Sequence, residues 1–542
     1  MIHDAISDGL KKLGIDCDYI ELEIPKFEAL GDISTPVAMS LAKTLKKSPK
    51  KIAEDIITAI GSHDEFESIE IAGPGFINFR FSQKYLGEQL KRLYTEKEKF
   101  LRPTVSDGLR VQIEFVSANP TGPLHLGHGR GAALGASLYN LLSRAGYIVE
   151  REFYVNDAGR QVRLLGESVY AQYQKLHGKD YPVPEDGYQG EYASEIAQEI
   201  IDTNGWQFID KSYKEAAEFF IDFSYKKMLL NIKSDLEIFG VTFDTWQSER
   251  ELYNNGTIKQ TLVDLKKMDL IYVEEGATWF RSQKFGDEKD RVIIKADGLY
   301  TYFLPDIAYH RKKADKGFDI LIDIWGADHH GYIPRMNAVL EALGHKGKLK
   351  VILVQMVSLL KDGVPFQMSK RAGNFVTLSE VYDEIGVDTT RFMFLTRRSD
   401  SQLEFDLATA KKESSENPVY YIQYAYARIN SILKKAGVGA YCNTPLQDIN
   451  TAILNEPEEQ SLIKKLITYP LVFETAARLF EPHRITFYLQ ELAGLFHPFY
   501  NKHRVIVEDR ALSQARLLLI ECVKIVLEEG LSVLGISAPD RM

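Results

Sequence analysis

Two histidines, His125 and His128, stand where an apolar run hands over to a run of small residues, and this junction constrains the chain more than any other stretch. Upstream, Val111, Gln112, Ile113, Glu114, Phe115 and Val116 read as a buried strand. Downstream, residues 132–139 (Ala-Ala-Leu-Gly-Ala-Ser-Leu-Tyr) read as a helix. The turn between them is rich in glycine and proline. A helix N-terminus attracts anions through its free amides and dipole, and imidazoles add donors where charge grows at phosphorus. The junction therefore suits a nucleotide's phosphates. Far downstream, Gln367, Met368, Ser369, Lys370 and Arg371 form a cationic loop.

The 542 residues are too many for one core, and about three domains are expected. Residues 1–105 read as a small α/β module in which 19–24 alternate as a strand would. Residues 106–405 alternate strands and helices as in a doubly wound parallel sheet, interrupted by a charged helical segment at about 160–270. From 406 to 542 strand signals vanish and an all-α domain follows, with Gly530 as a candidate end of its last helix. The three cysteines, Cys17, Cys442 and Cys522, form no CxxC pair, so neither a structural zinc nor a disulfide framework is expected. No apolar run approaches a membrane span and no signal peptide is evident, so a cytoplasmic location is expected. A net charge of −10 argues against a wholly basic nucleic-acid binder but leaves a local basic face open.

The histidine pair and the Met-Ser-Lys loop resemble the HIGH and KMSKS signatures of class I aminoacyl-tRNA synthetases. The resemblance implies a Rossmann-like catalytic domain in which a carboxylate attacks the α-phosphorus of ATP, with magnesium accompanying the nucleotide and no protein-only metal site. His125, His128 and Lys370 would be the catalytic groups. Gly127, Met368, Ser369 and Arg371 would bind ATP, Gly127 by leaving room for the adenine. The loop departs from the pattern at Gln367, where a lysine is usual.

Glu114 and Asp306 are acids inside apolar segments, so each needs a cationic partner. A guanidinium suits two carboxylates, and an internal salt bridge to a scaffold Arg or Lys is the competing reading. Residues 117–128, 302–310, 325–332 and the ending 535–542 resemble bacterial arginyl-tRNA synthetases along the whole chain. That resemblance implies an arginine–tRNA ligase, with arginine contacts at Glu114, Ser117, Asn119, Tyr302, Asp306 and either Asp328 or His329. It also implies tRNA(Arg) as a partner that must bind before the adenylate forms, and a monomer. Phe76 and Asn78 would meet the tRNA elbow, with strand core as the competing reading for Phe76. Tyr424, Arg428, Phe496, Tyr500 and Met542 would meet the anticodon, with about half of these residues expected to be structural. Another enzyme of the same superfamily and a non-catalytic tRNA binder stay open; the acid pair disfavours the first and intact His125, His128 and Lys370 the second.

Overall fold

The computed structural model describes residues 2–17, 19–361, 363–365, 376–437 and 448–542. Gln367, Met368, Ser369, Lys370, Arg371 and Cys442 lie outside the described residues. Strands are numbered β1 to β14 along the chain.

The N-terminal module folds around β1 (Ile33–Thr35), β2 (Phe66–Ala72) and β3 (Phe76–Phe81), an antiparallel sheet of order β1-β3-β2. Ile77 and Phe79 face its core together with Ile52 and Ile56 of the helix Pro49–Ile60, all of them fully buried. Residues 19–24 are not a strand. Only Glu23 pairs, exchanging two 2.8 Å backbone bonds with Ser34, and Pro25 has no N–H to continue.

The central sheet holds β4 (Arg110–Glu114), β5 (Ile148–Val155), β6 (Thr245–Ser248), β10 (Ile320–Gly326) and β11 (Leu349–Val354). All are parallel, in the order β11-β10-β4-β5-β6. The chain winds away from β4 in both directions, which opens a crevice beyond its C-terminal end. The helical stretch after β5 (Arg160–Leu176, Glu191–Asn204, Tyr213–Ile238) ends earlier than its charge suggested, because β6 returns to this sheet. A small antiparallel sheet of β7 (Ile271–Glu274), β8 (Ala277–Phe280) and β9 (Arg291–Ile294) follows. A fourth sheet, mixed, of β12 (Val357–Lys361), β13 (Val364–Pro365) and β14 (Leu403–Asp406), comes after β11.

The helix Leu126–Arg144, here the motif helix, lies directly on β4 because its contact face is nearly bare. A Cβ at Gly135 would stand 2.3 Å from the Phe115 ring, and one at Gly129 would stand 2.6 Å from Leu378 and 2.9 Å from Phe394. After Asp406 the described residues contain helices and no strand. The last helix runs through Gly530 to Leu534 and is capped by Gly535, whose φ of 67° is the left-handed value a helix stop needs. Gly530 is small for another reason: a Cβ there would meet Leu489 at 2.6 Å. No helix among the described residues is long and apolar enough to cross a membrane.

Gly135→Ala should force the motif helix off Phe115 and lower stability by about 1–3 kcal/mol. Urea unfolding with an unchanged midpoint would contradict that packing.

Candidate active site

The chain leaves β4 through a tight bend. The Ser117 N–H returns to the Phe115 carbonyl at 2.9 Å, and Val116 (φ 67°) and Ser117 (φ 40°) both take left-handed backbone. Each such residue costs about 1–3 kcal/mol, which the surrounding bonds must offset. The Ser117 hydroxyl donates to Glu114 Oε1 at 3.0 Å and accepts from the Tyr154 N–H at 3.1 Å. Asn119, two residues on, is exposed at the mouth of the crevice.

His125 caps the motif helix. Its Nδ1 accepts from the Gly127 N–H at 3.0 Å and the His128 N–H at 3.4 Å, while His128 Nδ1 accepts from the His125 N–H at 3.3 Å. The two rings stack with centroids 3.6 Å apart. An Nδ1 that accepts carries no proton, so both imidazoles are held as the Nε2–H tautomer. Burial lowers the pKa of His125, and burial beside His125 pushes His128 down to about 3. They are therefore neutral donors at pH 7. Gly127 is small because the His125 ring lies over it, 3.0 Å from where a Cβ would stand.

Glu114 has the cationic partner its position demanded, and it is internal. Its Oε2 accepts from the Lys313 ammonium at 2.7 Å and the Tyr309 hydroxyl at 2.8 Å. Lys313 also donates to Asp323 Oδ1 of β10 at 2.6 Å, and His310 Nε2 lies 3.0 Å from Asp323 Oδ2. Burial works against the charge on Lys313, but Asp323 and Glu114 outweigh it and hold the ammonium above its ordinary pKa. The competing salt-bridge reading of Glu114 thus has its geometry, with a carboxylate that steadies Ser117 rather than standing bare.

The open acids lie beside it. Asp306 Oδ2 accepts from the Tyr332 hydroxyl at 2.5 Å, and burial pushes its carboxyl up against the pull of that bond. Glu249, at the end of β6, is buried, and desolvation with the like charges of Asp306 and Asp157 pushes it up to about 7. With its amide nitrogen toward the acceptors, Asn156 donates to Glu249 Oε2 at 2.8 Å and its oxygen lies 3.2 Å from the amide of Asn119. Tyr302 is 80% exposed, and Asp328 and His329 sit in an exposed turn, 3.5 Å from each other. Tyr332, at the end of the same turn, is the residue that donates to Asp306.

Sequence reasoning missed Lys313, Tyr332 and Glu249. Lys313 was findable, since it lies seven residues after Asp306 and four after Tyr309 on one helical face. Glu249 was not, because only the pairing of β6 with β5 brings it near.

Residues 377 and 378 are tied to the strand–helix junction of the histidines. Thr377 forms a bridge with His125, and the Leu378 N–H donates to the Leu124 carbonyl at 2.8 Å.

Away from the crevice, Arg428 lies between the rings of Tyr424 and Tyr500, 4.7 and 4.5 Å from their centroids. These side chains line a cavity of about 520 Å³ with Lys435, Arg541 and Met542. Phe496 is fully buried, so the expectation that it meets RNA is corrected: it fills the helical core, as an aromatic at helical spacing usually does. Asn78 is likewise corrected. It is buried in β3 and its Oδ1 accepts from Ser34 Oγ at 2.7 Å, while Phe76 at the strand's start is half-buried. Among the described residues, the one cluster spaced for a metal is Glu456, Glu458 and His503 in the helical domain. There Glu458 already accepts from Lys502 at 2.8 Å.

Lys313→Met should leave Glu114 and Asp323 buried without a counter-charge and lower stability by about 3–5 kcal/mol. A urea midpoint within error of the parent would refute the role given to Lys313.

Three family models together account for most of the chain: arginyl tRNA synthetase N terminal domain over residues 1–81, tRNA synthetases class I (R) catalytic domain over 89–413, and DALR anticodon binding domain over 422–542. An arginine–tRNA ligase of Geobacter sp. (strain M21) is 49% identical over 545 residues, covering 100% of this chain and 98% of the relative. The structure of a Campylobacter jejuni arginyl-tRNA synthetase superposes with a TM-score of 0.78 at 39% identity, over 85% of this chain and 100% of that one. The Thermus thermophilus arginyl-tRNA synthetase shares the fold at a TM-score of 0.80 and 21% identity, over 100% and 99% of the two chains. With catalytic, N-terminal and anticodon-binding parts all matched by relatives of nearly its own length, the chain belongs to the class I arginyl-tRNA synthetases.

Proposed function

We propose that the chain charges tRNA(Arg) with arginine in two steps at the crevice beyond β4, with the roles divided between a neutral phosphate site and an acidic amino-acid site. The observation that carries this division is the histidine pair locked as Nε2–H donors at a helix N-terminus, beside a pocket of buried carboxylates.

In the first step the arginine carboxylate attacks the α-phosphorus of ATP and pyrophosphate leaves. The Nε2–H groups of His125 and His128 and the amides of the motif helix stabilise the charge that grows on the phosphoryl oxygens. Lys370 is assigned to the leaving pyrophosphate on the strength of its signature, with Met368, Ser369 and Arg371 around the nucleotide. Magnesium arrives with ATP as a counter-ion to its phosphates, since the acids of this crevice are committed to a cation of another kind. In the second step the 2′-hydroxyl of the terminal adenosine attacks the adenylate carbonyl and AMP leaves.

Asp306 and Glu249 are the carboxylates for the guanidinium, with Tyr332 orienting Asp306, Asn156 at Glu249 and Asn119 beside Asn156. A competitor without a guanidinium would leave the buried Glu249 and the half-buried Asp306 without a counter-charge, a penalty large enough to discriminate without editing. Ser117 and Tyr302 complete the amino-acid site, with Asp328 and His329 at its exposed rim. Tyr424, Arg428, Tyr500 and Met542 form the anticodon face, where ring and guanidinium planes offer stacking surfaces. The working unit is a cytoplasmic monomer.

Arginine-dependent ATP–pyrophosphate exchange, with and without tRNA(Arg) and with lysine as the control, tests the reading. Exchange with arginine is expected only when tRNA is present; exchange with lysine would remove the guanidinium pocket. His128→Ala should cut the exchange rate by about 10²–10³ while arginine still binds, as loss of one transition-state donor does. Because Glu249 ionises near pH 7 in the empty pocket, arginine must displace a proton to pair with it. Arginine affinity should therefore rise about tenfold from pH 6 to pH 8. Calorimetry in buffers of different ionisation enthalpy counts the released proton, and Glu249→Gln should flatten the profile.

A further inference from the structure

Arg335 stands on the helix Ile333–Ala342, directly after the turn that carries Tyr332, and none of the ion pairs among the described residues uses it. Its guanidinium lies over two rings instead, 4.6 Å from the centroid of Tyr332 and 5.7 Å from that of Phe303. Its Nε is buried with no hydrogen-bond partner. A buried donor left unpaired is costly, so the placement of this side chain calls for a reason.

The two rings belong to the two elements that build the Asp306 end of the amino-acid site. Phe303 opens the helix Phe303–Asp315 and stands three residues, about one turn, before Asp306. Tyr332 closes the turn Ala327–Tyr332 that follows β10. The Tyr332 hydroxyl donates to Asp306 Oδ2 at 2.5 Å, so this one bond spans the gap between helix and turn. Phe303 meets the Tyr332 ring edge-on at 6.2 Å, and Trp325 of β10 meets it at 6.1 Å. Arg335 adds a flat group that lies against helix and turn at once. Burial pushes the Asp306 carboxyl up, while the Tyr332 bond, His310 and Arg335 pull against it.

We infer that Arg335 is a positioning residue for arginine recognition: stacked on Tyr332 and Phe303, it holds the turn against the helix and so fixes the plane of the Asp306 carboxylate. The inference rests on the assignment of Asp306 to the amino-acid site. Arg335 acts through Tyr332 rather than on the substrate. A guanidinium pairs with a carboxylate through two parallel N–H bonds, so its affinity depends on how that carboxylate is turned. Arg335→Lys keeps the charge and removes the plane that stacks on the rings.

The test is a double-mutant cycle of Arg335→Lys with Tyr332→Phe, read as KM for arginine and kcat in ATP–pyrophosphate exchange with tRNA(Arg) present. Arg335→Lys alone should raise KM for arginine by roughly 5- to 20-fold and move kcat by less than about twofold. In the Tyr332→Phe background the hydroxyl is already gone, and the same change should raise KM by less than about twofold. A full, multiplicative rise in that background would overturn the inference, as would kcat falling in step with the rise in KM. Asp306→Ala is the control on the site. An unchanged KM there means that Asp306 is misassigned and the inference falls with it, whereas a raised KM beside an additive cycle removes Arg335 alone. Arg335→Gln serves as the second variant, and failure of both to fold would leave Arg335 a role in stability only and overturn its role in recognition.

Discussion

The ammonium of Lys313 joins the two strands on which everything else hangs. It bridges Glu114 at the end of β4 and Asp323 in β10, neighbours at the point where the sheet winds in opposite directions. Crevices open at such points because the connections diverge, and divergence also removes the contacts that would hold the strand ends together. A cation with two carboxylates restores them. Tyr309 extends the link to Glu152 of β5 at 2.5 Å, so three adjacent strands share one buried polar network. With Glu114 fixed, Ser117 is fixed, and the strained bend that follows can hold its left-handed backbone.

The proposed roles set two opposed electrostatic problems within one crevice. A phosphate site wants positive potential, while a guanidinium site wants negative potential, and fully charged groups for both would pair with each other. The proposed phosphate site avoids this by being made of dipoles. Neutral imidazoles and helix amides carry no net charge for Asp306 or Glu249 to attract, and their alignment still favours an anion. Under the proposed roles the full positive charges come from Lys370 and Arg371, far along the sequence. The same economy of placement recurs in the helical domain, where Arg428, Lys435 and Arg541 gather around one cavity although the chain as a whole carries −10.

Local features were legible in the sequence and non-local ones were not. The strand, turn and helix around His125 could be read directly because each is decided by neighbours a few residues away. The acids could be read as needing partners, but Lys313 was visible only to helical periodicity and Glu249 only to strand pairing. Phe496 and Gly530 show the limit from the other side. An aromatic in a helix looks the same whether it faces core or RNA, and a glycine looks the same whether it ends a helix or makes room for Leu489. Residues 19–24 alternate as a strand should, yet their neighbour β1 has only three residues to pair with.

The tautomer locked into His125 and His128 has a chemical consequence beyond donation. An imidazole attacks an electrophile through an unprotonated ring nitrogen, and here each such nitrogen, Nδ1, already accepts from a backbone N–H. The nitrogens carrying protons have no in-plane lone pair left to give. Two histidines can therefore sit against a phosphoanhydride without forming a phosphoramidate, and for the same reason they make poor ligands for a stray transition metal. The helix cap thus does more than start a helix: it keeps the site's imidazoles from becoming nucleophiles.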